Sequence, residues 1–286
     1  MSSDAHAMTP LVKALDFIEE SLQEAIGISD VAEAASYSLY HFCRLFNRYV
    51  HHTPYDYLMR RRLSEAARKL RHTDKQIIDI SFDYQFNSHE TFCRAFKRFS
   101  GMQPQEWRKK GIDDRRFAFA RRTEEHLRFI HNGILAKPEL IEHRALILVG
   151  VSSVIKPGAD TVRPFWRMLE KESAFLKNAA QPLSLYSVKT YPDNWEQDGI
   201  LYMAAAEVKT LDGVSPVLTV KLLPAGTYAV FGFSGPDQPA MDYLYQTWLA
   251  KSGGRPAYPL EIEVMGKNWP HTRSEGIERR VLIPIM

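Results

Sequence analysis

The stretch Ile77-Ile-Asp-Ile-Ser-Phe-Asp-Tyr-Gln-Phe-Asn-Ser-His-Glu-Thr-Phe-Cys-Arg-Ala-Phe-Lys-Arg-Phe99 reads as two short helices around a tight polar turn. Ile77, Ile80 and Ser81 lie on the inner side of the first helix, and Asn87-Ser88 offers the cap of the second. Phe92, Ala95, Phe96 and Phe99 then recur at three- and four-residue spacing, which makes one face apolar, and Gly101 with Pro104 ends the run. The unit is duplicated. Phe42-Cys-Arg-Leu-Phe-Asn-Arg48 returns as Phe92-Cys-Arg-Ala-Phe-Lys-Arg98 at an offset of 50, which also aligns Pro54 with Pro104, Tyr57 with Trp107, and Arg60, Arg61 and Arg62 with Lys109 and Lys110. Upstream the offset is 49, aligning Asp30 with Asp79 and Tyr37 with Phe86, so the second copy carries one extra residue in its turn. In the first copy Ser29 is the expected cap of Asp30 to Ala35. Ser38 is that of Leu39 to Val50, whose inner face is Phe42, Leu45, Phe46 and Tyr49.

The opposite face of each second helix carries short polar groups near its start and cations further along. These are Tyr40, Cys43, Arg44 and Arg48 in one copy and His89, Glu90, Arg94, Lys97 and Arg98 in the other. A helix that reads a DNA groove needs that face, because base edges take short-range polar contacts while phosphates take flanking cations. Between the copies, Tyr55 to Arg71 reads as a helix with Leu58, Leu63, Ala66, Ala67 and Leu70 inward. At ~1.5 Å per residue it spans about 25 Å. That length suits two reading helices in successive major grooves ~34 Å apart, so one chain would cover roughly two turns of duplex. Consecutive residues point around a helix, so Arg60, Arg61 and Arg62 cannot all face DNA, and one is expected beside the core.

Charge follows the same division. Residues 1 to 40 carry a net −6, residues 41 to 122 a net +10, and residues 123 to 286 a net −1. The middle block has the electrostatic footprint of a surface that meets phosphates. With 286 residues, 45% of them hydrophobic and 25% charged, the chain has the composition of about two globular domains. No run of ~20 apolar residues and no signal-like start occurs, so a cytoplasmic protein with no membrane partner is expected. Two cysteines, Cys43 and Cys93, exclude a disulfide framework and read as small semi-buried hydrophobes. His51, His52, His72 and His89 have no ligand-spaced companions, so no metal, and with it no cofactor, is expected.

Residues 11 to 112 resemble the DNA-binding domain of the AraC/XylS family of bacterial transcription regulators, through the 77–99 stretch followed by Gly101 and Pro104. With this domain first and an effector domain after it, the arrangement resembles the Rob-like branch of that family. There the first recognition helix carries Ser-x-Trp-x-x-Gln-Arg, which falls on Ser38, Tyr40, Cys43 and Arg44. Arg44 keeps the bidentate donor suited to guanine O6 and N7, whereas Cys43 lacks the contact of a glutamine. The second helix carries Ser-Gln-Gln-Thr and a following Arg, which fall on Ser88, His89, Glu90, Thr91 and Arg94. Glu90 can accept from cytosine N4 and repels phosphate, so the resemblance carries over no consensus site.

From about residue 123 the pattern turns to alternation. After a connector over 113–137, containing Gly133, strand-like runs span 145–155, 183–191, 201–210, 217–222, 226–233, 260–265 and 281–285. Helices are expected over 161–178, with Phe165, Trp166, Leu169 and Leu176, and over 240–251, with Leu244, Thr247 and Trp248. The expected fold is thus an all-α double helix-turn-helix domain over 1–112 plus an α+β domain over 138–286, an antiparallel sheet with helices on one face. The second half resembles the GyrI-like effector-binding domain, through Leu223-Pro-Ala-Gly-Thr-Tyr-Ala-Val-Phe231, the 243–253 helix, Pro259-Leu-Glu-Ile-Glu263 and the terminal Arg-Val-Leu-Ile-Pro-Ile285. That resemblance implies a pseudo-duplicated domain around a cleft, with the family's strand glutamate at Glu261. Alternation puts Leu260, Ile262 and Val264 on one strand face and Glu261 with Glu263 on the other, away from the layer beneath the helices. A carboxylate walled by rings attracts lipophilic cations, and the candidate rings are Trp166, Trp195, Tyr202, Tyr228 and Phe231. Trp166 and Trp248 also read as helix-packing core residues and Glu263 as a solvated one.

The reading that gathers these features is a non-enzymatic, sequence-specific regulator of the activator kind. It has double-stranded DNA and RNA polymerase as partners and a small hydrophobic or cationic effector in its C-terminal half. Arg44 and Arg94 are expected to read bases, and Arg48, Lys97 and Arg98 to hold phosphates. A hydrolase with Glu261 as general base is the alternative from another class; no nucleophile elbow or phosphate loop accompanies that carboxylate. A protein-interaction module is the third.

Overall fold

The computed structural model describes residues 3–110, 119–132, 139–156, 162–173, 179–180, 183–192, 195–233, 237–252, 254, 256–265 and 279–286. The chain forms two compact units, Met1–Gly133 with Pro236–Trp248, and Ile134–Gly235 with Leu249–Met286.

The first unit is helical. After α1 (Ser3–Glu20) come α2 (Ile28–Ala34), α3 (Leu39–Val50), α4 (Pro54–His72), α5 (Ile77–Asp83), α6 (His89–Ser100) and α7 (Pro104–Lys110). The first helices of the two copies start 49 residues apart and the second helices 50 apart, so the extra residue lies in the second turn. Packing repeats with the sequence. Phe46 meets Phe42 and Tyr57 at centroid distances of 5.4 and 5.6 Å, and Phe96 meets Phe92 and Trp107 at 5.5 and 5.8 Å. Left-handed residues repeat as well, Ser36 and Gln85 in the turns, His51 and Gly101 at the helix ends. One cap differs from expectation: α2 begins at Ile28 behind Gly27, whose N–H donates to the Asp30 carboxylate at 2.8 Å, so Ser29 lies inside the first turn.

The linking helix α4 starts behind Thr53, whose hydroxyl accepts from the Asp56 N–H at 3.1 Å. Two of its three consecutive arginines are structural, where one was expected. Arg61 makes a bidentate pair with Glu19 at 2.7 and 2.8 Å and also donates to the Phe119 carbonyl. Arg62 donates to the carbonyls of Leu22 and Glu24, tying α4 to the end of α1. The Arg61 guanidinium stays buried because its Nε, Nη1 and Nη2 all find acceptors.

Of the expected connector, 113–118 and 133–137 lie outside the described residues. The part between them packs into the first unit. The Phe119 N–H donates to Ser64 Oγ at 2.7 Å, and the Phe119 ring stands edge-on to His52 and Tyr57 before α8 (Glu124–Asn132).

The second unit is built on an antiparallel sheet. Its described strands are β1 (Glu139–His143), β2 (Leu146–Ile155), β3 (Leu185–Thr190), β4 (Ile200–Val208), β5 (Thr219–Leu223), β6 (Gly226–Phe233), β7 (Leu260–Met265) and β8 (Arg279–Pro284), in spatial order β1-β6-β8-β7-β3-β4-β2-β5. The strand triplets β2, β4, β3 and β6, β8, β7 are the same βαββ arrangement met from opposite ends, and they join at the β3–β7 pairing. This is the expected duplication. Strand β1, which the connector reading left out, pairs with β6 at one edge. In the first half α9 (Arg163–Ser173) follows β2; Leu176, expected on this helix, lies outside the described residues. A short α10 (Trp195–Asp198) lies between β3 and β4, and the segment that follows β6 comprises α11 (Asp237–Tyr243), a π-helix over Leu244–Leu249 and a last turn, α12 (Ala250–Ser252). Through Trp248 this segment belongs by packing to the first unit, although sequence alone put it in the 138–286 domain.

One glycine is dictated by close approach. A Cβ on Gly150 in β2 would lie 2.0 Å from the Ala204 carbonyl oxygen of β4. Gly150→Ala must therefore push the β2–β4 ladder apart, at a cost of about 1–3 kcal/mol. Urea denaturation checks this; a midpoint unchanged from the parent would refute it.

Candidate nucleic-acid interface and effector site

Helices α3 and α6 present the same surface twice. Phe42 and Phe46 in one, Phe92 and Phe96 in the other, are fully buried, which fixes how each helix is rotated. The outward side chains follow: Tyr40, Arg44 and Arg48 are exposed on α3, and Glu90, Thr91, Arg94, Lys97 and Arg98 on α6. Cys43 and Cys93 are half-buried at corresponding places and pack against the aromatic core. Burial, followed by the charge of Glu90, pushes the Cys93 thiol up, so it stays protonated and unreactive at neutral pH. The Arg44 guanidinium lies 5.7 Å from the Tyr40 ring centroid, one turn away, which holds it over the start of its helix.

The caps differ between the copies. Ser88 accepts from the Thr91 N–H at 3.2 Å and bonds its hydroxyl at 3.1 Å, so both are engaged in the turn itself. Ser38 caps α3 by position alone, without a side-chain bond. Glu90 is held below the usual carboxylate range by its own backbone N–H, with Ser88 also contributing, which leaves it an ionised acceptor. His89 is half-buried, with Nε2 3.5 Å from Cys93 Sγ. No group of three or more His, Cys, Asp or Glu suited to a metal occurs among the described residues.

In the second unit the register brings the predicted carboxylate to the junction of the halves. Glu261 of β7 lies opposite Lys189 of β3, which lies opposite Tyr202 of β4, so the three share one face. Glu261 is buried. Its Oε1 accepts from Lys189 Nζ at 2.7 Å and its Oε2 from the Tyr191 hydroxyl at 3.2 Å. Burial alone would lower the Lys189 ammonium's pKa, but the Glu261 charge outweighs it and leaves the group raised and fully charged. Trp195 stands perpendicular to Tyr191 at 5.8 Å, and the Trp166 indole N–H donates to the Tyr202 hydroxyl at 2.7 Å. Phe231 is on the same face, two strands from Glu263 through Val281. Tyr228 is not: it joins Ile262 and Leu282 in the opposite apolar cluster, its hydroxyl donating to the Pro224 carbonyl at 2.6 Å.

The expected separation of the carboxylates from the helix layer is corrected by the same register. Helix α9 packs Trp166 and Leu169 against Tyr202 and Ala204, on the face that Glu261 and Glu263 share. Leu260, Ile262 and Val264 face instead an apolar cluster that strands from both halves close among themselves. Lys189 was missed because alternation assigns a face but not the neighbour across it.

A family profile described as an integron-associated effector binding protein matches residues 139–285, slightly more than half of the chain, and one described as a helix-turn-helix domain matches 31–110. The HTH-type transcriptional activator AarP of Providencia stuartii is 36% identical over 94 residues, covering 33% of this chain and 70% of that protein. The chain belongs to the AraC/XylS family. A longer match within it is the transcriptional regulator Rob of Salmonella typhimurium, 27% identical over 238 residues and covering 80% of each chain. The HTH-type regulator YbfP of Bacillus subtilis is 41% identical over 96 residues, 34% of this chain, which spans only 32% of that relative's length. This AraC/XylS member is therefore a DNA-binding transcription regulator whose helical unit is joined to a GyrI-like effector-binding domain. No helix among its described residues is long and apolar enough to cross a membrane.

Proposed function

We propose that this chain is a cytoplasmic transcription activator that reads an asymmetric DNA site of about two helical turns with α3 and α6, and that a small hydrophobic or cationic effector acts through the cleft at Glu261. The observation that carries the DNA part is the matched pair of exposed cationic faces, each set by two fully buried phenylalanines at the same helical positions. Arg44 and Arg94 read bases, while Arg48, Lys97 and Arg98 hold phosphates and Ser38, Tyr40, Cys43, Ser88, His89, Glu90 and Thr91 shape local preference. Glu261 with Trp195, Tyr202 and Phe231 supports the effector part, and Tyr228 shapes the strand behind it. RNA polymerase is the protein partner, in keeping with the activator named among the relatives.

Arg94→Ala tests the DNA part. Discrimination at one base pair should fall by about 1–3 kcal/mol while binding to random duplex is nearly kept. Duplex selection from a random pool, followed by mobility-shift titration, measures both; an unchanged site preference would reject Arg94 as a reader. A hydrolytic role would require Glu261 to act as a base while ion-paired to Lys189 and hydrogen-bonded to Tyr191.

A further inference from the structure

Both Glu261 oxygens are engaged by the protein itself, and one partner is a full positive charge. A cation entering this site therefore meets a carboxylate that is already neutralised. The neutralising group has a particular character. An ammonium on a flexible four-carbon stem is a mobile point charge, unlike the fixed fork of a guanidinium. Its side chain keeps 28% exposure against 9% for Glu261, so part of the lysine's stem, unlike the glutamate, lies at the surface. A second acidic residue, Glu263, lies on the same strand face two residues along and acts on Lys189 electrostatically. The ammonium can leave Glu261 without losing all negative charge nearby.

We propose that Lys189 is a tethered internal cation that occupies the effector position on Glu261 and must be displaced for a cationic effector to bind, which makes it the residue that sets affinity and selectivity at this site. This rests on the reading of Glu261 as an effector carboxylate. Exchange is balanced in charge: one ammonium leaves the carboxylate as one cation arrives, and Lys189 turns toward Glu263 and solvent. Selectivity follows from desolvation. A small hydrated cation gains nothing over an ammonium already in place, whereas a large lipophilic one also covers the half-buried Tyr191 ring.

The test uses the full chain and tetraphenylphosphonium, a permanent cation that can neither lose a proton nor donate a hydrogen bond, followed by titration calorimetry. Lys189→Met should bind it at least tenfold more tightly than the parent chain, and adding Glu261→Gln should abolish that gain. Equal or weaker binding by Lys189→Met, with Glu261→Gln still weakening the parent, would overturn the plug and leave the effector reading standing. No binding by parent or variant would overturn both. A second measurement needs no substitution: acetylation of Lys189 by an amine-reactive ester, read by mass spectrometry, should accelerate when the probe saturates the parent chain. Protection of Lys189 under those conditions would overturn the proposal.

Discussion

Asp242→Ala should destabilise the first unit by about 3–5 kcal/mol, the cost of removing one partner from a buried charge cluster. Asp242, on α11, accepts from the His126 ring at 2.9 Å and from the Gln246 amide at 2.9 Å. Its carboxylate also lies 3.8 Å from Arg122 Nη1, an ion pair too long to be a hydrogen bond. Arg122 is fully buried: its Nη2 reaches the Asp242 carbonyl and Thr247 Oγ1 at 3.4 Å, its guanidinium lies 5.1 Å from the Phe119 centroid, and Nε and Nη1 have no hydrogen-bond acceptor. Burial draws its pKa down, opposed by the Asp242 charge, so loss of that charge leaves a desolvated cation with little to hold it. Arg122→Met in the Asp242→Ala background should recover most of the loss, because it removes the stranded charge. Chemical denaturation of the four proteins of this cycle measures the coupling. Additive effects would show that the pair is not coupled.

Phe96→Ala should cost about 3–5 kcal/mol, in the range of buried aromatic truncations, and its effect should be felt at the DNA. Phe96 is fully buried between Phe92 and Trp107, and the same packing orients α6. Loss of the ring opens a cavity beneath the second reading helix while α3 keeps its own Phe42, Phe46 and Tyr57. The expected result is a thermal transition lowered on the order of 10 °C. Contacts to the half-site read by α6 should weaken more than those to the other half. Footprinting at a temperature where the variant is folded distinguishes the halves, and uniform weakening would contradict the independence of the two aromatic triads. Phe46→Ala should give the mirror pattern.

The double helix-turn-helix was legible because its aromatic positions recur at a fixed offset and a helix has only one way to bury Phe92 and Phe96 together. The strands were legible from alternation, and the duplicated order of the sheet agrees with the expected plan. What stayed hidden depends on partners distant in sequence. Arg61 and Arg62 look like any cationic helix face until Glu19 and the carbonyls of Leu22 and Glu24 are brought beside them. Lys189 has no local signal, since its meaning comes from standing opposite Glu261 across a β3–β7 pairing 72 residues away. Ser29 was a reasonable cap by type, but the helix opens two residues earlier, behind Gly27, whose N–H the Asp30 carboxylate accepts. Tyr228 matched the ring-lined cleft by composition, and only its parity relative to Phe231 turns it to the other face.

The path of the chain decides which unit can be completed first during synthesis. The first unit comprises Met1–Gly133 and Pro236–Trp248, so its last piece leaves the ribosome only after the whole intervening stretch has been translated. At ~5–20 residues per second that interval is about 5–20 s. During it Arg122 and His126 wait without Asp242, and the nascent helical unit lacks the piece that covers them. A regulator assembled in this way completes its DNA-reading half only when most of its sensing half already exists.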